Sequence, residues 1–203
     1  MPVPIFLLLT RIFMTSFEYI SILLSIIIGL GITHLLIGVG RLINKPKTLK
    51  IYWIHIVWTF FIFHYMITFW WFEFAFSNLQ EWTFQLYYFI ILYAVLLFCL
   101  CIINMPFHFP ENFRQYYYSR RKWFFSVILA YNIVDVIDTL LKGSTHISNL
   151  GAGYPVLIIV SIILSIVAIF SRRELVHGII AVTYTLYHLG YTYIKFNTLP
   201  GNS

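Results

Sequence analysis

Residues 16–43 read SFEYISILLSIIIGLGITHLLIGVGRLI, an almost uninterrupted apolar stretch that decides the class of fold. The stretch exceeds the roughly 20 residues that a helix needs to cross the hydrocarbon core of a bilayer. Its small and polar residues fall on two opposite faces when projected at about 100° per residue. One face carries Glu18, Ser21, Ser25, Gly29, Thr33 and Gly40, and the other carries Gly31, His34, Gly38 and Arg41. Because helices in lipid associate through close backbone approach, we expect this helix to pack on both faces at the centre of a bundle.

The composition of the whole chain is that of a membrane protein. Of its 203 residues, 61% are hydrophobic, 20% are aromatic and only 10% are charged, and the mean hydropathy is +0.85. A soluble domain of this size needs more charged surface, so these values exclude that class. Cys99 and Cys101 form a CxC pair within an apolar run, a spacing that fits neither a zinc site nor a thiol redox site.

Long apolar runs separated by short polar segments predict an all-α fold, a polytopic transmembrane bundle of about six helices. The predicted spans are 16–43, 51–75, 83–106, 122–142, 154–171 and 174–196, which form one domain over residues 16–196. Residues 1–15 contain an apolar run too short to span, and we expect an interfacial or non-native extension there, with Met14 as an alternative start. Residues 197–203 are predicted to be a flexible tail.

Lysine and arginine residues lie mostly on one side of this predicted bundle. Only Arg11, Lys142 and Lys195 of the 13 basic residues fall on the other side, which leaves ten. The ten are Arg41, Lys45, Lys47, Lys50, Arg114, Arg120, Arg121, Lys122, Arg172 and Arg173. By the positive-inside rule their side is cytoplasmic, so both termini are predicted on the non-cytoplasmic side. We therefore expect an integral membrane protein, located in the cell (inner) membrane if the organism is bacterial.

The fourth predicted span holds the most informative polar residues. Asn132, Asp135 and Asp138 recur at i, i+3 and i+6, so they share one face of a helix that is otherwise apolar. A charged side chain costs about 3 kcal/mol at the centre of a bilayer, so these carboxylates need a partner or water. One interpretation is a path for protons or cations. In the other, Asp138 pairs with Lys142, hydroxyl groups hydrogen-bond Asp135, and the stripe only joins helices.

Further candidates for such a path lie on the first, second and sixth spans. They are Glu18, Glu73, His64, Tyr184, His188 and Tyr191. The two glutamates belong to the outer half, either in an acidic vestibule shared with the aspartates or as interfacial groups in water. The two histidines come near the midplane, and on the sixth span histidine and tyrosine recur at 3–4-residue spacing, typical of a relay along one face. The alternative for each histidine is a hydrogen bond across a helix interface.

The sequence favours no cofactor. A haem held between His64 and His188 stays geometrically open, but the intervals from His55 to His64 and from His177 to His188 are nine and eleven residues. Two haems stacked between two helices would need the two histidines of each helix to be about 13–14 residues, or four turns, apart. No pair of metal ligands occurs at i, i+4, so no metal site is expected. The sequence also contains no catalytic motif, which makes an enzyme the least favoured class.

Residues 107–125, FHFPENFRQYYYSRRKWFF, mix aromatic and basic side chains. Pro110 and Glu111 fit the start of a helix, and the mixture is typical of a segment in the headgroup region. The predicted cytoplasmic basic surface consists of Arg114, Arg120, Arg121 and Lys122. These side chains either bind anionic lipid headgroups or only set the topology. Nucleic acid is not an expected partner, because the segment is held between two spans.

The sequence is compatible with two functions. The first is a small oligomeric channel or transporter that passes protons or cations along the intramembrane carboxylates and the His/Tyr face. The second is a non-catalytic sensor, scaffold or effector subunit that assembles with itself, with other subunits of a membrane complex or with a cytoplasmic partner. The predicted helix-packing positions are Ser21, Ser25, Gly29, Gly31 and Gly38. We further expect the face of Glu18 and Ser25 to lie against the acidic stripe of the fourth span.

Overall fold

The computed structural model describes residues 14–44, 49–79 and 81–195. Its helices are α1 (Ser16–Ile43), α2 (Trp53–Glu73), α3 (Phe84–Asn104), α4 (Phe113–Leu141), α5 (Ser144–Leu150), α6 (Gly153–Phe170) and α7 (Glu174–Lys195). A 3-10 helix, Phe74–Asn78, continues α2. Residues 1–13 of the predicted extension and the whole predicted tail, 197–203, lie outside the described residues, so both stay predictions.

The predicted all-α transmembrane bundle is confirmed. Helices α1, α2, α3, α4 and α6 are long and apolar enough to cross a membrane. Helix α7 is less apolar because it carries histidines, tyrosines and Glu174, but its 22 residues extend about 33 Å at 1.5 Å per residue. That length crosses a hydrocarbon core of about 30 Å, so the bundle has about six spans.

The basic segments meet at one end of the bundle, as expected for helices that alternate in direction. Arg41 Nη1 donates to the carbonyl of Phe107 at 2.8 Å, and Arg114 forms a salt bridge with Glu174 at 2.9 Å. These contacts join the segments that follow the first, third and fifth spans. We call this end the basic end, and its cytoplasmic location stays a prediction.

The fourth span begins nine residues earlier than predicted and ends within one residue of the predicted bound. Helix α4 begins at Phe113 because the Asn112 side chain caps it, accepting from the backbone N–H groups of Arg114 and Gln115. The aromatic and basic residues therefore belong to one 29-residue helix rather than to a separate headgroup segment. The short helix α5 was not expected. It lies between Gly143 and Gly151, whose positive φ values of 90° and 67° suit glycine.

Helix α1 is peripheral, so its predicted central position is wrong. The face that carries Gly31 and Gly38 lies against α3 and α2. A Cβ atom at Gly31 would overlap Met66, and one at Gly38 would lie 2.9 Å from Met105 Cγ. At Gly29, on the opposite face, a Cβ would have no atom within 4 Å. The predicted packing role holds for Gly31 and Gly38 within the chain, and Gly29 faces outward.

The second small-residue face of α1 does not reach the acidic stripe, so the predicted contact with the fourth span is wrong. Ser25 is exposed, and its hydroxyl donates to the Ser21 carbonyl within the same helix at 2.7 Å. Helix α2 takes the central place instead, with α1, α3, α4 and α7 around it. Small residues permit close approach, but the number of neighbours depends on the bulky side chains of α2, such as Trp58 and Phe61, both fully buried.

We expect Gly38→Ala to lower the unfolding temperature of the detergent-solubilised protein, because the new methyl group would crowd the buried Met105 side chain. Circular dichroism during heating measures the effect. Gly190→Ala is the matched control, since that helical position has no atom within 4 Å of a Cβ. There the higher helix propensity of alanine should leave the unfolding temperature unchanged or raise it. Equal unfolding temperatures for wild type and Gly38→Ala would contradict the α1–α3 packing.

Candidate functional site

Two carboxyl groups and one ammonium group form a buried cluster at the end of the bundle opposite the basic end. Lys142 Nζ makes salt bridges with Glu73 Oε1, at 3.0 Å, and with Asp138 Oδ2. The three side chains are only 1–3% exposed. An ion that loses its hydration is costly unless it is paired, and one ammonium group balances only one of the two carboxylates.

Secondary structure positions these groups. Lys142 is the C-cap residue of α4, one turn after Asp138, and Glu73 is the last residue of α2. The Lys142 ammonium group lies 4.9 Å from the centre of the Phe76 ring, in the 3-10 helix, where the ring face favours a cation. The pairing of Asp138 with Lys142 was the second interpretation of the sequence. The prediction that Glu73 reaches interfacial water is wrong, because Glu73 joins this ion cluster with 1% exposure.

Asp135 is bound by phenol hydroxyls rather than by a cation. Tyr93 donates to Oδ1 at 2.7 Å, and Tyr154 donates to Oδ2 at 2.8 Å. The Thr139 hydroxyl donates to the Tyr154 oxygen at 2.9 Å. These are the hydroxyl contacts that the second interpretation of the stripe named for Asp135. Tyr93 comes from α3 and Tyr154 from α6, so the carboxyl group ties three helices together.

Two carboxylate oxygens of the cluster, Glu73 Oε2 and Asp138 Oδ1, are buried without a hydrogen-bond partner. Beside Asp138 lies a cavity of about 20 Å³. Its lining combines apolar groups, such as Phe72 and Leu157, with the polar side chains of Thr68, Asp135, Asp138, Thr139, Tyr154 and His188. About 10–15 Å³ suffices for one water molecule, so the cavity has room for one occupant of that size.

His146, on α5, does not add a second cation to the cluster. Burial, together with the nearby Lys142 ammonium group, lowers the pKa of His146 to about 4. The imidazole is therefore neutral at pH 7. Three carboxyl groups, those of Glu73, Asp135 and Asp138, thus face a single ammonium group among the described residues of this site.

Polar contacts continue from the cluster toward the middle of the bundle. His188, which also lines the cavity, lies 3.2 Å from the Ser161 hydroxyl through its Nε2 atom. The Tyr184 ring stacks on His188 at 4.8 Å, and Asn132 Nδ2 donates to the Tyr184 hydroxyl at 3.0 Å. The structure thus brings four of the predicted candidates, Asn132, Asp138, Tyr184 and His188, onto one connected surface. Tyr191 lines the same cavity and donates to the Leu150 carbonyl at 3.2 Å.

Tyrosine rings connect the acidic groups to this histidine. Tyr93 and Tyr131 lie 4.6 Å apart between ring centres, Tyr131 and Tyr65 lie 4.7 Å apart, and Tyr65 and His188 lie 5.1 Å apart. These tyrosines are 2–7% exposed. The sequence analysis did not select Tyr65, Tyr93 or Tyr131, because the chain has 15 tyrosines and their partners lie on other helices.

Packed aromatic rings fill the interior of the bundle between these polar groups and the basic end. Trp58 is fully buried, and its ring centre lies 5.2–5.5 Å from those of Phe61, Phe124 and Phe125. Beyond this layer, toward the basic end, the buried His177 has its Nδ1 atom 2.9 Å from the Tyr117 hydroxyl. The polar surface therefore reaches only part of the way across the bundle, and the structure is closed toward the basic end.

His64 and His188, the two histidines considered as haem ligands, are packed among other side chains. His64 Nε2 is buried without a partner, and His188 is enclosed by the rings of Phe61, Tyr65 and Tyr184 at 4.8–5.3 Å. A haem between His64 and His188 would have to displace this packing. Within residues 14–44, 49–79 and 81–195, no group of three or more His, Cys, Asp or Glu residues could hold a metal ion.

Glu18 lies outside the cluster, where it caps α1. Its carboxylate accepts from the Thr15 backbone N–H at 2.7 Å, and the Thr15 hydroxyl accepts from the Glu18 backbone N–H at 3.2 Å. This reciprocal pair is a capping box, and Glu18 is exposed. The T-x-x-E spacing before an apolar run signals a capping box, which the sequence analysis overlooked. Glu18 is thus exposed whereas Glu73 is buried, so the two glutamates do not share a site.

Of the four residues in the predicted basic surface, three are exposed and one is buried. Arg121 is 7% exposed, its Nη1 donates to the Tyr118 carbonyl at 3.2 Å, and its Nε has no partner, so its assignment to the surface is wrong. Arg114 is exposed and engaged by Glu174. Arg120 and Lys122 are exposed. Residues on a continuous helix turn by about 100° each, so a basic run of three cannot all face water.

No family model, curated protein or solved structure matches this chain. The fold and the site therefore define it in physical terms, as an integral membrane protein with an ion cluster buried between its helices.

We expect Lys142→Gln to lower the free energy of unfolding by about 3–5 kcal/mol, because Glu73 and Asp138 would lose their buried counter-ion. Titration with a denaturing detergent at pH 8, followed by circular dichroism, measures this. Lys195→Gln, at an exposed position of α7, is the control and should change little. Adding Glu73→Gln to Lys142→Gln should restore part of the loss, which a double-mutant cycle quantifies. Additive effects of the two substitutions would argue against the salt bridge.

Proposed function

We propose that the protein moves protons or small monovalent cations across the membrane, as a transporter or a gated channel. The binding step takes place at Glu73, Asp135, Asp138 and Lys142. The observation that carries the proposal is the excess of acidic groups, three carboxyl groups against one ammonium group, in a buried site. Intramembrane carboxylates of this kind are costly, and they are typical of proton and ion pathways.

Charge balance explains why such a site would exchange an ion. The Lys142 ammonium group compensates one carboxylate, and phenol hydroxyls solvate Asp135. One further negative charge is left, with unpartnered oxygens on Glu73 and Asp138. A proton or a cation in the adjoining cavity would neutralise this remaining negative charge. The Lys142 ammonium group would compete with that proton or cation for the same carboxylate. Competition of this kind permits both uptake and release, as translocation requires.

The shape of the polar surface favours a gated mechanism over an open pore. The cavity, Tyr65 and His188 connect the carboxyl groups with the middle of the bundle. The aromatic layer around Trp58 then separates this surface from His177 and the basic end. Conduction across the whole bundle would require that layer to rearrange, which is the expected behaviour of a transporter or channel in a closed state.

We expect purified protein in liposomes to support proton or potassium flux, and the double variant Asp135→Asn with Asp138→Asn to reduce that flux at least tenfold. The double variant removes two negative charges but keeps the side-chain shapes. A pH-sensitive dye reports proton flux, and potassium-loaded vesicles report cation flux. Glu18→Gln is the matched control, because it removes an exposed carboxylate while glutamine still completes the capping box. Undiminished flux in the double variant would contradict the proposal, as would absence of flux in wild type.

The alternative function, assembly as a subunit, is favoured by the open face of α1. Neither Gly29 nor Gly40 has an atom within 4 Å of a Cβ position, and Ser25, one turn before Gly29, is exposed. Small residues at such spacing let a second helix approach closely. Within the described part of the chain no atom fills the space beside Gly29 and Gly40, so another copy of the chain or another membrane subunit could pack there.

If α1 forms a homo-oligomeric contact, we expect Gly29→Leu to shift the protein from an oligomer to a monomer in detergent, because the longer side chain blocks close backbone approach. Light scattering coupled to size-exclusion chromatography measures the mass. Ile26→Leu, at an exposed position of the same helix, is the control and should leave the mass unchanged. A wild-type protein that is monomeric at all concentrations would exclude the homo-oligomer.

A further inference from the structure

A second cavity, independent of the acidic cluster, opens at the basic end of the bundle. It has a volume of about 570 Å³ and lies between the last turn of α3, the segment 105–112 and the first half of α4. Its walls include Ile102, Ile103, Pro106, His108, Arg120 and Trp123. The Tyr116 hydroxyl donates to the Ile103 carbonyl at 2.8 Å, which joins the two helices behind the cavity. The volume falls in the range of ligand pockets, about 300–1,000 Å³.

The polar part of this cavity favours an anion. Arg120 is exposed and forms no salt bridge with any residue in the described part of the chain, in contrast to Arg114, which Glu174 engages. His108 supplies an imidazole at the same rim. The lining contains no aspartate or glutamate. The planar guanidinium group of arginine can donate to two phosphate oxygens at once, which no other cationic side chain does as well.

The apolar part of the cavity favours a hydrocarbon chain next to that anion. Ile102 and Ile103 belong to the transmembrane helix α3 and line one wall. The Trp123 side chain, 67% exposed, lines another. An exposed indole is typical of the boundary between headgroups and hydrocarbon. The polar and apolar parts of the cavity are therefore arranged like the headgroup and the acyl chains of a phospholipid at the membrane surface.

We propose that this cavity binds one anionic phospholipid of the leaflet at the basic end. Arg120 and His108 contact the phosphate and the anionic headgroup, and Ile102, Ile103 and Trp123 contact the upper part of an acyl chain. Free phosphate would leave the apolar walls in water, so the lipid is the occupant that fits all of the lining. This site does not depend on the proposed ion movement.

The test compares lipids in mixed micelles of a neutral detergent. We expect phosphatidylglycerol to raise the unfolding temperature of wild type by several degrees more than phosphatidylcholine does. Arg120→Gln should remove most of that difference. Lys122→Gln is the matched control, because it removes one positive charge two residues away, at an exposed position outside the cavity lining. Its response to phosphatidylglycerol should equal that of wild type.

Three outcomes would overturn the proposal. These are equal stabilisation of wild type by the two lipids, equal losses in Arg120→Gln and Lys122→Gln, and a full effect from inorganic phosphate alone. If Arg120→Gln does not fold, His108→Gln takes its place, with a partial loss expected. Native mass spectrometry gives a second measurement, since wild type should retain one phosphatidylglycerol where the Arg120→Gln or His108→Gln variant retains less. Transport measured in phosphatidylcholine vesicles separates this site from the proposed function.

Discussion

The site depends on one costly interaction, the burial of the Lys142 ammonium group between Glu73 and Asp138. Each ion loses most of its hydration, so the three side chains have to be held together by the surrounding helices. Lys142 and Asp138 come from α4, and Glu73 comes from the end of α2. Asp135 adds contacts to α3 and α6 through two tyrosines. The relative positions of four spans are therefore fixed by charges and hydroxyls, since in lipid apolar packing alone provides little preference for one neighbour over another.

The sequence predicted the class of fold well, because spans in a bilayer follow from length and hydropathy. The first span was predicted at residues 16–43 and is observed there, and α6 and α7 are within one residue of their predicted bounds. The unpredicted parts depend on local capping or on neighbours. Asn112 starts α4 nine residues before the predicted span, and two glycines with positive φ enclose α5. Neither signal is visible in a hydropathy pattern.

The candidate site was predicted in part. The i, i+3 spacing identified Asp135 and Asp138 as residues that need partners, and the i, i+4 spacing gave Lys142 as one of them. The second carboxylate of the cluster, Glu73, is 69 positions away from Lys142, so a single sequence contains nothing that pairs the two. The burial of Arg121 beside exposed Arg120 and Lys122 has the same origin, because the rotation of a helix relative to its neighbours is set by tertiary packing.

Helix α4 is a continuous rod of 29 residues, about 44 Å long, which exceeds the hydrocarbon thickness of a bilayer. One end carries Arg114 and Arg120, and the other end carries the aspartates and leads into Lys142. A rigid helix transmits a tilt or rotation along its whole length, so a change of ion occupancy at one membrane surface would alter contacts at the other. If the proposed ion site and the proposed lipid site are coupled through this helix, thermodynamic reciprocity requires that lipid binding at one end change the ion affinity at the other.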